Sequence, residues 1–218
     1  MLSFIKNKKS FFGLILSVPI FVIAIVGVLL VNPSTSQSTR YFIESTEAHL
    51  SLPVTAPFPD IQTKNLSDTQ KRIIIVSKIE YQKYPISFDA NVLGYTQDNK
   101  ESWCADYVSW VLNQVGTPLS NPNSDSWRIP GVLTLKDYFT AQHTFHAVGD
   151  YTPKTGDVAF YIGRSGLDPR SKQHVNLVLS VESNTMRTIG GNEIGRMRIS
   201  TQRYDTHQNS LIGFGSLK

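Results

Sequence analysis

The sequence predicts an α+β domain that follows one apolar N-terminal helix. Three observations predict it: an uncharged apolar run at 11–31, a helical apolar period that starts at Trp103, and a series of short apolar strands after Pro153. Helices come first along the chain and strands come after them, which is the order of an α+β domain. With 218 residues, of which 40% are hydrophobic, the chain is long enough for one domain of ordinary size and an extension.

The apolar run predicts a membrane-spanning helix at residues 11–31. A helix of this length would span about 31 Å, close to the ~30 Å hydrocarbon core of a bilayer. Three lysines precede the run, so the positive-inside rule places residues 1–10 in the cytoplasm and the later chain outside (Lys6, Lys8, Lys9). The run is longer than the apolar region of a signal peptide and ends without a small-residue cleavage site. A cleaved signal, and hence a secreted protein, is the alternative.

Two further segments follow the predicted span. Residues 32–66 are typical of a linker, because Ser, Thr and Pro dominate and no apolar period is sustained. Residues 67–218 then form the predicted domain, outside the cytoplasmic membrane.

The charge distribution argues against nucleic acid as a partner. The first 31 residues hold three of the 21 basic residues and none of the 17 acidic ones, so the rest of the chain is close to neutral. A nucleic-acid surface needs Lys and Arg clustered on the folded part. The excess of positive charge belongs to the N-terminal stub instead.

The predicted domain begins with a helix. Ser67 and Gln70 have the spacing of a capping box, and residues 73–84 are predicted to form a helix with Pro85 as its stop. The four consecutive β-branched residues at 73–76 leave a strand as the alternative.

A second helix is predicted over Trp103–Val115, with Ser102 as its N-cap and Gly116 as its stop. Cys104, the only cysteine of the chain, falls in its first turn. Free backbone N–H groups and the helix dipole at that position favour a thiolate. A buried cysteine that acts only as a small apolar side chain is the other interpretation.

The second half of the domain is predicted to be mainly strands. One more short helix is expected around Leu133–Phe139. After it, apolar runs between turn residues predict a sheet of about five sequential antiparallel strands, at 157–162, 174–181, 185–192, 196–204 and 210–214.

Two of these strands would place a polar pair near the cysteine. A hairpin of 174–181 and 185–192 with a three-residue loop puts His174 opposite Asn192, within reach of a side-chain hydrogen bond. A register shift of one residue would abolish the pair. Asn192 could then orient the imidazole, and the other ring nitrogen would face the Cys104 thiol, which suits nucleophilic acyl transfer. Gly190 and Gly191 would let a substrate backbone approach.

The residues named so far lie in four motifs that resemble a known family. The motifs WCADYVSWVL (103–112), PKTGDVAF (153–160), HVNLV (174–178) and GGNE (190–193) are similar to the successive motifs of CHAP domains. These are cysteine, histidine-dependent amidohydrolases/peptidases of the papain-related, NlpC/P60-like group. The resemblance runs from about residue 68 to the C-terminus.

The resemblance implies a papain-like fold, with Cys104 as nucleophile, His174 as general base and Asn192 as the orienting residue. It implies a peptidoglycan peptide as substrate, cleaved at an amide bond, with no metal and no cofactor. Gly190 stands where some members carry a Glu, so three catalytic residues are expected rather than four. With the N-terminal helix, these features predict a bacterial membrane-anchored cell-wall hydrolase, either an amidase or an endopeptidase. The alternative is a non-catalytic module that binds wall peptide or a divisome partner.

Several other residues have simpler interpretations. Asp157 is expected to be a turn residue before a strand. His143 and His146 could share a helix face, but without a third ligand they predict no metal site. The aromatic residues of the cysteine helix are expected to pack in the core, with the wall of a groove as the alternative (Trp103, Tyr107, Trp110). The polar loop at 163–173 either shapes a site or is a surface loop.

Overall fold

A computed structural model of the protein describes residues 57–83, 88–163 and 172–217. The predicted stub at 1–10 and the predicted membrane-spanning helix at 11–31 lie outside these residues. None of the helices in the described ranges has the length and apolar character that crossing a bilayer requires.

The chain divides into two compact units, Met1–Ala56 and Pro57–Lys218, and the second is the folded domain described below. It starts before the expected position at residue 67. Phe58 and Ile61, assigned by sequence to the linker, pack on its core. The Phe58 ring meets Tyr81 edge-on at 5.8 Å. This contact joins residues distant in sequence, so the short apolar pattern around Phe58 could not predict it.

Among the described residues the domain has four α-helices, a short 3-10 helix (Gln208–Ser210) and one six-stranded sheet, which confirms the α+β class. The helices are α1 (Asp68–Lys83), α2 (Ala90–Thr96), α3 (Cys104–Gln114) and α4 (Val132–Ala141). The strands are β1 (Phe145–Ala147), β2 (Val158–Ile162), β3 (Gln173–Glu182), β4 (Thr185–Glu193), β5 (Arg196–Arg203) and β6 (Leu211–Gly215).

The sheet is antiparallel, in the order β1-β6-β2-β3-β4-β5. Strands β2 to β6 correspond to the five that the sequence predicts. The sixth, β1, has only three residues and pairs with the C-terminal strand, a long-range pairing that no local pattern signals. As a result β6 lies between β1 and β2, so the strands are not in sequential order.

The capping box at the start of α1 forms as predicted. The Ser67 N–H donates to Gln70 Oε1 at 2.9 Å, and the Gln70 N–H donates to Ser67 Oγ at 3.3 Å. These reciprocal bonds start the helix at Asp68, before the predicted position, and the β-branched run at 73–76 is helical rather than extended. The capping box satisfies backbone N–H groups at the start of the helix, and the helix buries Ile73 and Ile74. Together these effects outweigh the weak strand preference of the β-branched residues.

Helix α3 packs on β3 and β4 and forms the centre of the core. Its aromatic and aliphatic side chains meet the alternate β3 residues Val175, Leu177 and Leu179, all fully buried. The opposite side of β3 is also covered, because Val178 belongs to a second apolar cluster with Tyr161 and Phe214. Strand β3 is therefore buried on both faces, and polar side chains on it must find partners inside the protein.

Candidate active site

Cys104 is the first residue of α3 and lies at the helix N-terminus, as the sequence predicts. The N-cap is Trp103 rather than Ser102, and it makes no side-chain cap bond. The first bond back along the helix is from the Tyr107 N–H to the Trp103 carbonyl at 3.0 Å. The N–H groups of residues 104–106 precede it and have no intrahelical acceptor, which favours negative charge at the Cys104 sulfur.

His174 lies near the start of β3, with its imidazole close enough to the Cys104 side chain to interact with it electrostatically. The ring is 2% exposed and the cysteine 5%, so the contact is shielded from solvent. The structure thus brings together the two residues for which the sequence predicts nucleophile and base.

Glu193, at the end of β4, lies on the other side of the imidazole. Its Oε1 is 3.5 Å from His174 Nε2, and its side chain is fully buried. Asn176 Nδ2 donates to the same Oε1 at 2.9 Å and to Thr188 Oγ1 at 3.1 Å, so the carboxylate is held in place. Because Nε2 faces Glu193, Nδ1 is the ring nitrogen left for the thiol.

These neighbours determine the protonation state of the histidine. Burial lowers the pKa of His174, but the Cys104 thiol and the Glu193 carboxylate outweigh it and raise the pKa to about 10. The imidazole is therefore protonated at neutral pH. The resting histidine is a proton donor rather than a neutral base that waits to remove a proton.

Asn192 lies next to this group, at a bulge. The β3–β4 turn has two residues, with Glu182 paired to Thr185, rather than the predicted three-residue loop. Asn192 is half-buried with φ 60°. Within the described residues its side chain makes no hydrogen bond to the imidazole. The position predicted for Asn192, against the ring, is occupied by Glu193.

The difference between the predicted and observed partners of His174 does not come from the β3–β4 register. A bulge in that ladder offsets the shorter turn, so Leu177 lies opposite Ile189, as the predicted register requires. A second, between Gly190 and Glu193 in the β4–β5 ladder, turns the strand end and redirects its side chains. The alternation of side chains along a strand cannot predict this bulge. The available signal for a carboxylate near His174 is Glu193 in the GGNE motif.

Gly190 and Gly191 make space for protein groups rather than for substrate. A Cβ on Gly190 would collide with the Asn176 side-chain oxygen and would lie 2.6 Å from Glu193 Oε1. A Cβ on Gly191 would overlap the Trp103 indole. Both glycines are buried. The predicted approach of a substrate backbone is therefore wrong, and the glycines are needed to seat the carboxylate and the catalytic helix.

The Cys104 side chain opens into a cavity of about 300 Å³. The other lining residues come from the turns before α3 and α4 and from the start of β3: Ser102, Pro130, Gly131, Val132, Lys172 and Gln173. Residues 164–171 of the loop predicted at 163–173 lie outside the described part, but its described end lines this cavity. A carbonyl group that enters would meet the sulfur beside free helix N–H groups, which suits acyl transfer.

An ion-paired arginine connects α3 to the segment that leads to the cavity wall. Arg128 Nη1 lies 2.5 Å from Asp106 Oδ1 and 2.5 Å from Glu101 Oε1. The Ile129 N–H next to it donates to Ser109 Oγ at 3.2 Å. Burial raises the pKa of Asp106 to about 6, although Arg128 lowers it in part. No local sequence pattern signals this group, because the pair links residues that are distant in the chain.

The remaining candidates have structural roles. Asp157 is a turn residue, as predicted: its Oδ2 accepts from the Lys154 N–H at 2.7 Å. His143 lies in a turn after α4 and His146 in β1, so they do not share a helix face. Among the described residues, no group of three or more His, Cys, Asp or Glu side chains could hold a metal ion.

The aromatic residues of α3 belong to the core, as predicted. Trp103 and Tyr107 are fully buried, and Trp110 packs edge-on against Tyr95 at 4.9 Å. None of the three lines the cavity at Cys104.

A helix-borne cysteine paired with a strand-borne histidine is the arrangement of a papain-like cysteine hydrolase. The family model of the CHAP domain matches residues 95–192, which include both residues. Residues 95–192 thus match the CHAP domain, the family that the four sequence motifs resemble.

Two solved structures resemble the chain at low identity. Ly7917 is 10% identical with a TM-score of 0.42, over 66% of this chain and 61% of that one. PlyC is 14% identical with a TM-score of 0.32, over 86% of this chain and 52% of that one. The chain thus spans less than two thirds of either protein, and at these TM-scores neither likeness adds to what the fold and the family establish. No curated protein matches the chain.

Proposed function

We propose that this protein hydrolyses an amide bond in the stem peptide or cross-bridge of peptidoglycan through an acyl-enzyme on Cys104. The observation that carries the proposal is the buried row Cys104–His174–Glu193 at the edge of a cavity. Cys104 supplies the nucleophile, His174 carries the proton, and the Glu193 carboxylate orients the imidazole. These are the groups that thiol acyl transfer requires.

The first half of the reaction forms the acyl-enzyme. The Cys104 thiolate attacks the amide carbonyl, and the oxygen of the tetrahedral intermediate takes up the negative charge. The Cys104 backbone N–H, free of any helix bond, donates to that oxygen. His174 then gives its Nδ1 proton to the amine as the C–N bond breaks, and the acyl group remains on sulfur as a thioester.

The second half releases the acyl group. Neutral His174 removes a proton from a water molecule, whose oxygen attacks the thioester carbonyl. The C–S bond breaks and returns the thiolate, and His174 again carries its proton. Glu193 keeps the imidazole oriented and stabilises its positive charge in both halves. Asn192, the orienting residue that the resemblance implies, lies beside Glu193, and the variants Asn192→Ala and Glu193→Gln separate their contributions.

We place this activity outside the cytoplasmic membrane. Residues 11–31 would span the membrane, residues 1–10 would stay in the cytoplasm, and the segment from 32 would tether the domain. The length of the apolar run and the lysines before it support this arrangement. N-terminal sequencing of the mature protein tests it: a sequence that starts after residue 31 would indicate a cleaved signal and a secreted enzyme.

The experiment that tests the activity is mass spectrometry of purified peptidoglycan after incubation with the full chain. Wild type is compared with Cys104→Ala, which removes only the sulfur at the edge of the cavity. New fragments from the wild type alone would support the proposal, and their masses would distinguish an amidase from an endopeptidase. If both proteins stay folded and bind peptidoglycan without releasing fragments, the domain is a binding module instead.

A further inference from the structure

The domain carries a second and larger cavity, of about 710 Å³, which shares no lining residue with the cavity at Cys104. The small cavity lies at the N-terminal ends of α3 and α4. The large one lies beyond their C-terminal ends, at Thr117 and around Tyr138 and Gln142. Because α3 has 11 residues, its two ends are about 16 Å apart. The volume falls within the ~300–1,000 Å³ of small-molecule sites.

The walls of the large cavity are polar but nearly uncharged. Hydroxyl and amide side chains predominate, among them Thr69, Gln70, Gln142 and Thr144. Of the lining residues, only Lys154 and Asp157 carry charge, and the Asp157 carboxylate already accepts from the Tyr151 hydroxyl at 2.9 Å and from the Lys154 N–H at 2.7 Å. The cavity therefore suits a neutral ligand that has many hydrogen-bonding groups.

Several wall residues are fixed before any ligand arrives. Gln70 Nε2 donates to the Thr155 carbonyl at 3.0 Å, and its Oε1 is held by the capping box. The Tyr151 ring stacks on His146 with centroids 4.1 Å apart and planes 10° from parallel. Tyr138 and Phe139 add two aromatic side chains to the lining. A site whose side chains are already ordered loses less entropy when it binds.

We propose that this cavity binds a saccharide unit of the glycan strand, an inference that rests on the proposed function. A sugar presents hydroxyls that both donate and accept, and its N-acetyl groups pair with amides and leave a methyl for aromatic surface. Such a ligand matches the neutral hydroxyl, amide and aromatic lining. The separation of about 16 Å along α3 lets one polymer place its glycan here while its peptide reaches Cys104.

The direct test is calorimetric titration of the full chain with a peptide-free tetrasaccharide of N-acetylglucosamine. Tyr138→Ala removes aromatic surface from the cavity, and Gln142→Trp fills it. Each should weaken binding by about tenfold or more, as is usual for a central contact. The matched controls are Tyr204→Ala and Gln82→Trp, which change the same residue types away from both cavities and should bind like wild type. No binding by wild type, or equal binding by both cavity variants, would overturn the proposal.

A second measurement separates this inference from the proposed activity. In Tyr138→Ala, hydrolysis of intact peptidoglycan should fall, while kcat/KM on a soluble stem peptide without sugar should stay that of wild type. Equal losses on both substrates would contradict a glycan site. If wild type binds the tetrasaccharide but never releases fragments, the glycan site stands and the proposed hydrolysis fails. If wild type hydrolyses peptidoglycan but does not bind the tetrasaccharide, the proposed hydrolysis stands and the glycan site fails.

Discussion

Glu193 Oε1 lies 3.5 Å from His174 Nε2, with both side chains almost completely buried. Asn176 is a neutral donor to the same oxygen, while Glu193 Oε2 has no hydrogen-bond partner among the described residues. A carboxylate in this environment is costly unless a cation lies next to it. The protonated imidazole is that cation, so Glu193 and the Cys104 side chain both stabilise the charged form of His174. Glu193 at the end of β4, more than the neighbouring Asn192, therefore controls the protonation state of His174.

Glu193→Gln should therefore reduce activity more than Asn192→Ala does. The glutamine keeps the acceptor for Asn176 but removes the charge next to the ring, which lowers the pKa of His174. We expect kcat/KM on peptidoglycan fragments to fall by about 10- to 100-fold, the cost of leaving a buried charged group without its partner. The alkaline limb of the pH profile should also move to lower pH.

The Asn192→Ala profile provides the comparison. We expect the alkaline limb of kcat/KM in Asn192→Ala to lie at the same pH as in wild type. The reason is that, in the described part of the chain, no contact joins the Asn192 side chain to the imidazole. A larger loss in Asn192→Ala than in Glu193→Gln, with the limb displaced, would instead make Asn192 the orienting residue.

The pH dependence of the wild type follows from the raised pKa of His174. Its imidazolium must protonate the leaving amine, so kcat/KM should stay high through neutral pH and fall as the pH rises through about 10. The same group stabilises the fold. Because its folded pKa lies above the unfolded value of about 6.5, this stabilisation is complete below that pH and is lost as the pH rises through about 10.

Two pH series check this prediction: kcat/KM, and the free energy of unfolding by urea. Cys104→Ala removes one of the two groups that raise the pKa, so its stability should begin to fall at a lower pH than that of wild type. An alkaline activity limb near pH 6.5 in wild type would contradict the raised pKa of His174.

Local patterns predicted the elements that hold Cys104 and His174, and long-range contacts accounted for the rest. The helical period around Cys104 and the alternation after His174 are properties of adjacent residues, so each element was found nearly to its ends. Glu193 was missed because a bulge, which depends on the neighbouring strand β5, sets its direction. The Arg128 pair and strand β1 were missed for the same reason, since each joins residues far apart in the chain.

Gly191→Ala should destabilise the domain because its Cβ would overlap the Trp103 indole, which is fully buried under α3. Overpacking of this kind costs about 1–3 kcal/mol. Gly94→Ala is the matched control: nothing lies within 4 Å of its Cβ position, in the middle of α2. It should be neutral or stabilising by up to ~1 kcal/mol. Thermal and urea unfolding measure both, and equal stability of the two variants would contradict this packing.

Arg128→Met should destabilise the domain strongly, because it leaves the buried Asp106 carboxylate without its cation. Removing one partner of a buried ion pair costs about 3–5 kcal/mol. Arg203→Met is the control, since its partner Asp205 is exposed and the pair is screened by solvent, so little change is expected.

The pH dependence of the loss identifies Asp106 as its cause. Burial already raises the pKa of Asp106 to about 6 with Arg128 present, and removing the arginine raises it further. At pH 5 the carboxyl is protonated, so the uncompensated charge disappears and the destabilisation by Arg128→Met should shrink. At pH 8 it should be complete. Urea unfolding at both pH values provides the measurement, and a loss of the same size at each would mean that Arg128 stabilises the cavity wall by packing alone.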